Sequence, residues 1–227
     1  MLTAAALLPA IILMIYIYKK DKVEKEPKGL LLKIFFLGAF SVIPILIMEI
    51  VFEAVFLSFL EPTSGLYIFL EAFIGVAWVE EFWKRWAVKV GAWKHKAFNY
   101  RFDAIVYSVF AALGFAALEN IMYVLESGLS TALLRAVTAV PSHAVDGIIM
   151  GYFLGEAKIC ELDGNKKGQK RYMKLSILMP TLSHGIYDYA LFLNSEVMAL
   201  FWLVFVVVID IWAILFVRRA SKKDAIL

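Results

Sequence analysis

The sequence is poor in the residues that build disulfide frameworks and structural zinc sites. Its 227 residues hold one cysteine, Cys160, and three histidines. No intrachain disulfide can form, and a cysteine-rich zinc site is excluded. No His-Glu-x-x-His pair occurs, so the sequence does not by itself demand a hydrolytic zinc. No basic run precedes the first apolar stretch; Lys19, Lys20 and Lys22 follow it. A cleavable signal peptide has the reverse order, so this stretch is expected to persist as a helix with its N-terminus outside. Internal repeats, low-complexity tracts and a soluble domain are also missing. Nothing points to a nucleic-acid partner.

Apolar residues, in contrast, make up 62% of the chain, and the mean hydropathy is +0.78. A soluble domain carries roughly half apolar residues. The apolar residues come in long unbroken runs, which is what helices need to cross a hydrocarbon core about 30 Å thick. The expected fold is therefore all-α: a polytopic bundle of about seven transmembrane helices. The expected segments are 2–18, 29–60, 66–90, 102–125, 131–157, 172–193 and 197–217, with a turn at 61–65 and a polar loop at 158–171. Residues 1–227 are read as one integral membrane domain with a motif-bearing core at about 66–193. Seven crossings with the N-terminus outside put every basic residue but Arg135 on the cytoplasmic side or at a helix end beside it. That alternation follows the positive-inside rule and sets the C-terminus in the cytoplasm.

Ionisable groups inside such helices are costly, at least roughly 2.5–3.5 kcal/mol each at mid-membrane on insertion scales, so they need partners or a wet cavity. Four clusters stand out. Glu80-Glu81-Phe82-Trp83-Lys84-Arg85 pairs two carboxylates with cations four residues on, Glu80 with Lys84 and Glu81 with Arg85. Salt bridges at a helix end would look the same; a carboxylate pair that deprotonates a water is the chemical alternative. Phe115-Ala116-Ala117-Leu118-Glu119-Asn120 sets a carboxylate and an amide in an apolar helix. Pro141-Ser142-His143-Ala144-Val145-Asp146 kinks its helix at the proline and puts His143 and Asp146 on one face. Pro180-Thr181-Leu182-Ser183-His184-Gly185-Ile186-Tyr187-Asp188 stacks His184 over Asp188, where the carboxylate can orient the imidazole. Glu49 and Glu53 share a face of the second segment and are second-rank candidates for the same cavity. Counted at 1.5 Å per residue, His143 and His184 fall near mid-membrane. Glu80 and Glu81 fall nearer the inner side, an offset that tilt would have to absorb.

At these residues the sequence resembles the PrsW family of bacterial and archaeal intramembrane proteases. The matching elements are the Glu80-Glu81-x-x-Lys84 pair, the Phe115-x-x-x-Glu119-Asn120 step, the His143 helix and the His184-Gly185-x-Tyr187-Asp188 step. They occur in order over about residues 80–188. The CAAX prenyl proteases and the Abi group are more distantly similar, and the CAAX enzymes carry His where this chain has Glu119. The resemblance implies a multi-pass enzyme of the cell membrane. Its implied activity is site-one cleavage of a membrane-anchored protein such as an anti-sigma factor.

The expected catalytic residues are Glu80, Glu81, Glu119, His143 and His184, supported by Lys84, Asn120, Asp146 and Asp188. Glu80 or Glu81 is the general base on a water, with Glu80 preferred. His143 and His184 position that water or donate to the oxyanion, as Asn120 also would. Glu119 and Asp188 orient the histidines. A metal-free site is the first expectation. The alternative is zinc held by His143, His184, Glu80 and Glu119, since two His with one or two Glu match hydrolytic zinc sites. A proton-coupled transporter would also bury such groups, although it would usually show an inverted repeat. A non-catalytic scaffold is the remaining reading.

Overall fold

The computed structural model describes residues 2–225 and 227, and its regular structure is helical throughout. Helix α1 spans Leu2–Lys20. Helices α2 (Lys28–Phe40) and α3 (Val42–Phe52) form one rod that ends in a π-helical turn, Glu53–Leu57. Helix α4 (Gly65–Leu70) runs without interruption through a π-helical stretch, Glu71–Trp78, into α5 (Val79–Gly91). Then come α6 (Asp103–Ser127), α7 (Leu129–Val137), α8 (Ala139–Leu162), α9 (Lys166–Phe192) and α10 (Glu196–Lys222). Five helical stretches, 2–20, 28–57, 103–127, 129–162 and 196–222, are long and apolar enough to cross a membrane. The rods 65–91 and 166–192 are long enough too, but they carry most of the site's charges.

Prolines set the breaks. Pro44 has no N–H for the Phe40 carbonyl, and the rod turns at Ser41, whose hydroxyl donates to the Gly38 carbonyl at 2.6 Å. Pro141 likewise cannot serve the Val137 carbonyl. The expected kink at Pro141 is a full break three residues earlier, at Thr138 (φ −126°, ψ −80°), and Pro141 lies in the first turn of α8, where its missing donor costs nothing. Pro180, by comparison, is carried inside an unbroken α9. The expected polar loop 158–171 shrinks to residues 163–165, because both flanking helices extend into it. Asn165 caps α9 by accepting from Gly168 N at 2.9 Å.

Helix α6 is the axle. Every residue from Asp103 to Ala117 is buried. Its neighbours come close because glycines remove side chains at the crossings. A Cβ at Gly114 would lie 2.1 Å from the Phe35 carbonyl oxygen, and one at Gly151 would lie 2.5 Å from Ile105 Cα. Around this centre α1, α3 and α10 turn large apolar side chains outward: Ile12, Ile50, Val197 and Leu200 are all more than half exposed. In water such a surface would aggregate; in lipid it is solvated.

The first end of α6 is sealed by carboxylates. Glu26, from the loop before α2, accepts a short hydrogen bond from the Tyr107 hydroxyl. Asp103 accepts from Tyr100 N at 2.7 Å and Asn99 N at 3.0 Å. Asp224 accepts from Phe102 N at 2.9 Å, and Arg101 N donates to the Ala225 carbonyl at 3.1 Å. The chain after α10 is thereby stitched to the loop before α6.

Candidate active site

The other end of α6 lies about 24 Å along the axle, sixteen residues on at 1.5 Å each. Here α5, α6, α8 and α9 converge. Lys84 sits four residues after Glu80 and three after Glu81, so both carboxylates reach one ammonium, at 2.9 and 2.7 Å. The third N–H of Lys84 meets His143 Nδ1 at 3.1 Å. Three donors thus face three acceptors. The Lys84 ammonium also stands 4.4 Å from the centre of the Phe115 ring. The expected Glu81–Arg85 pair does not form. Arg85 instead donates to the Met173 carbonyl on α9 at 2.7 Å.

The two imidazoles share one orientation. His184 turns Nδ1 inward, 3.1 Å from Glu81 Oε1 and 3.8 Å from Glu80 Oε2. Its Nε2 faces Asp188 at 3.2 Å, the stacking that the four-residue spacing anticipates. His143 turns Nδ1 toward Lys84 and Nε2 toward Glu119, at 3.1 Å. Each histidine therefore presents Nδ1 to the centre and has a carboxylate at its back. The rings stand edge to face, 5.3 Å apart.

The residues foreseen from the sequence do not all meet at one point. Glu80, Glu81, His143 and His184 bring one ligand atom each to within 4.8 Å of one another. Glu119 stands outside that group, although the zinc alternative counts it among the ligands. Arg135 holds it at 2.5 Å, and it contacts the centre only through His143. Asn120 is spent on structure: its Nδ2 donates to the Ala6 carbonyl at 2.7 Å and its Oδ1 accepts from Arg135 Nε at 2.8 Å. These bonds use the amide oxygen and one of its two N–H groups. Asp146 is buried, and its Oδ1 has no hydrogen-bond partner among the described residues.

A cavity of about 590 Å³ opens beside these groups, with Glu80, Glu119, His143, Asp146, His184 and Asp188 on its wall. Glu81 is absent from the wall; it lies behind Glu80 and is fully buried. Glu49 reaches the cavity, whereas Glu53 is exposed outside it. The expected depth offset of Glu80 has a local cause that relieves it. Residues 71–78 are π-helical, and a wider turn rises less per residue, so Glu80 lies less far from Gly65 than straight α-helical counting gives. Two cavity groups escaped the sequence reading. Arg135 was visible only as the one basic residue off the cytoplasmic pattern. Tyr187, with its ring against Trp202 at 5.5 Å, gave no signal beyond its place in the last motif.

The centre is suited to a cation. Carboxylates outnumber Lys84 and Arg135 around it, and a buried excess of negative charge must be offset by protons or a bound ion. Glu81 Oε2 and Asp146 Oδ1 are buried acceptors without hydrogen bonds among the described residues. The donor set of two imidazoles and two carboxylates is that of hydrolytic metal sites, and a carboxylate at the far nitrogen of each ligand histidine is their usual support.

An all-helical membrane bundle enclosing such a Glu/His centre defines the class: a membrane-embedded hydrolase. The chain belongs to the PrsW family, which matches residues 26–214 under the description PrsW family intramembrane metalloprotease. It is 38% identical to Protease PrsW of Oceanobacillus iheyensis over 98% of this chain and 97% of the relative. It is 36% identical to Protease PrsW of Halalkalibacterium halodurans, over 98% of both chains. Protease PrsW of Bacillus subtilis is 32% identical over 97% of this chain and 94% of its own length. No solved structure matches the chain. The protein is thus an intramembrane peptidase with bacterial relatives, and the transporter and scaffold readings fall away. The family's description favours the zinc alternative over the metal-free expectation.

Proposed function

We propose that the cavity hydrolyses a peptide bond of a membrane-anchored protein, with Glu80 as general base. The observation that carries this reading is that Glu80 opens onto the cavity while Glu81 is closed behind it. Glu80 takes a proton from the attacking water and passes it to the leaving amide nitrogen. His143 and His184, both on the cavity wall, position that water or donate where the oxyanion develops. Glu119 and Asp188 fix the two rings, and Arg135 fixes Glu119.

A zinc ion fits beside the same base. His143 and His184, through Nδ1, and Glu81 would hold it, and Lys84 would yield the interior position. When bound, its chemistry is that of a Lewis acid that lowers the pKa of water and polarises the scissile carbonyl. Seven crossings of the cell membrane with the N-terminus outside, and site-one cleavage of an anti-sigma factor, follow from the charge pattern and the family resemblance.

The test is cleavage of single-span membrane substrates by the purified chain in detergent, with and without a chelator. Glu80→Gln and His184→Ala proteins that stay folded should be inactive. Chelator inhibition reversed by zinc assigns the metal-dependent form; indifference to chelator assigns the metal-free form. Full activity of folded Glu80→Gln would remove Glu80 as the base.

A further inference from the structure

A second cavity, about 630 Å³, lies at the far end of α5 from Glu80. Its wall carries Lys33, Arg85, Lys89, Lys94 and His95, and no carboxylate among the described residues. Four other cations of the chain are neutralised in place: Lys84, Arg101, Arg135 and Lys158 each meet a glutamate. Lys33, Lys89 and Lys94 make no such pair among the described residues. Arg85 is anchored by its bond to the Met173 carbonyl, and its Nε is buried with no partner among the described residues. Gathering these cations around one recess gives it a positive potential that attracts an anion. A bundled guanidinium and ammonium set is also the chemistry that recognises phosphate.

The rest of the wall is apolar and faces outward. Trp86 is 38% exposed and Val90 53% exposed on the same side of α5, with Phe82 one turn before Trp86. A soluble phosphate compound has no use for such a flank, whereas an acyl chain does. The site also falls where the charge pattern sets the cytoplasmic interface, and basic pockets between helices on that side suit anionic lipid headgroups. We propose that this pocket binds an anionic phospholipid, its phosphate among Lys33, Lys89, Lys94 and Arg85 and one acyl chain against Phe82, Trp86 and Val90. The inference is independent of the catalytic mechanism and of the substrate.

Native mass spectrometry of the full chain in detergent, titrated with phosphatidylglycerol or phosphatidylcholine, tests it. The wild type should retain one phosphatidylglycerol in preference to phosphatidylcholine. The K33Q/K89Q/K94Q variant should bind it at least about tenfold more weakly. A charge-matched control, K166Q/K167Q/K170Q, should stay within about twofold of wild type, since those residues lie on α9 outside the pocket. Far-ultraviolet circular dichroism confirms that both variants are folded. Equal retention of the two lipids, or an equal loss in the control, would overturn the proposal. Displacement of phosphatidylglycerol by millimolar inorganic phosphate would also overturn it, because the pocket would then serve a soluble phosphate.

Discussion

At one end of α6, Glu119 joins a set of carboxylates that face a cavity and share Lys84, Arg135 and two histidines. At the other end, Asp103 and Glu26 are equally buried, yet no Lys, Arg or His touches their carboxylates among the described residues. Their partners are a tyrosine hydroxyl and backbone N–H groups. Both sets are deep, and both would look alike in a list of buried acids. The difference is what satisfies them. Neutral donors suit a carboxyl group that stays put and joins segments together, as Glu26, Asp103 and Asp224 join three stretches of chain. Charged and titratable partners suit groups that must exchange protons. Burial alone therefore does not mark a catalytic acid; the nature of its partners does.

Four measurements would break or sharpen that contrast. The largest effect is expected from Glu80→Gln, which should lower kcat by about 10²–10⁴-fold, the range of general acid–base catalysis, while the unfolding midpoint in detergent holds. Glu26→Gln, by contrast, should leave kcat unchanged. Next, Lys84→Met strands Glu80 and Glu81 without a cation and should destabilise the fold by about 3–5 kcal/mol, read from chemical unfolding. The double variant Glu81→Gln/Lys84→Met should recover part of that loss; a stable Lys84→Met single variant would contradict the view that the site's charges are mutually dependent. Third, Glu119→Gln should cost about 10–100-fold in activity, as removal of a histidine's orienting carboxylate does, with Arg135→Gln costing less because Glu119 keeps His143.

The smallest effect is a pH slope. Burial pushes the Glu26 carboxyl up from 4.5 to about 9. The folded state then holds that proton more tightly than the unfolded chain. Its contribution is full below pH 4.5 and is lost as pH rises through about 9. Wild-type stability should fall between about pH 5 and about pH 9, and Glu26→Gln should flatten part of that fall. A slope unchanged in the variant would show that Glu26 is not the group responsible.

Much of the site was legible in the sequence because charge inside an apolar run is conspicuous. Glu80, Glu81, His143, His184 and Asp188 each stood out in that way, and the four-residue spacing of His184 and Asp188 gave their contact directly. Rotation about the helix axes was not legible. Nothing in the spacing says that Glu81 rather than Glu119 joins the innermost group, since that depends on the π-helical stretch before α5 and on how α6 turns. The partner of Lys84 was only half visible, because three- and four-residue spacings are equally good on a helix and the sequence cannot choose between Lys84 and Arg85 for Glu81. Asn120 is buried, and an amide in an apolar helix has to bond to something; here it bonds α1 and α7. The break at Thr138 was foreshadowed by Pro141 but misplaced, because proline disrupts the carbonyl four residues before it rather than its own position.

The place of Lys84 bears on the order in which the protein is made. Many small metal domains cannot fold until their ion arrives, because like-charged ligands hold one another apart. Here the chain brings its own positive charge to the meeting point of α5 and α8. Glu80, Glu81 and His143 can be gathered during biogenesis in the membrane, before any ion or substrate is near. The centre is thus assembled by the chain's own charges, and an ion that binds there meets a site already shaped rather than one that must fold around it.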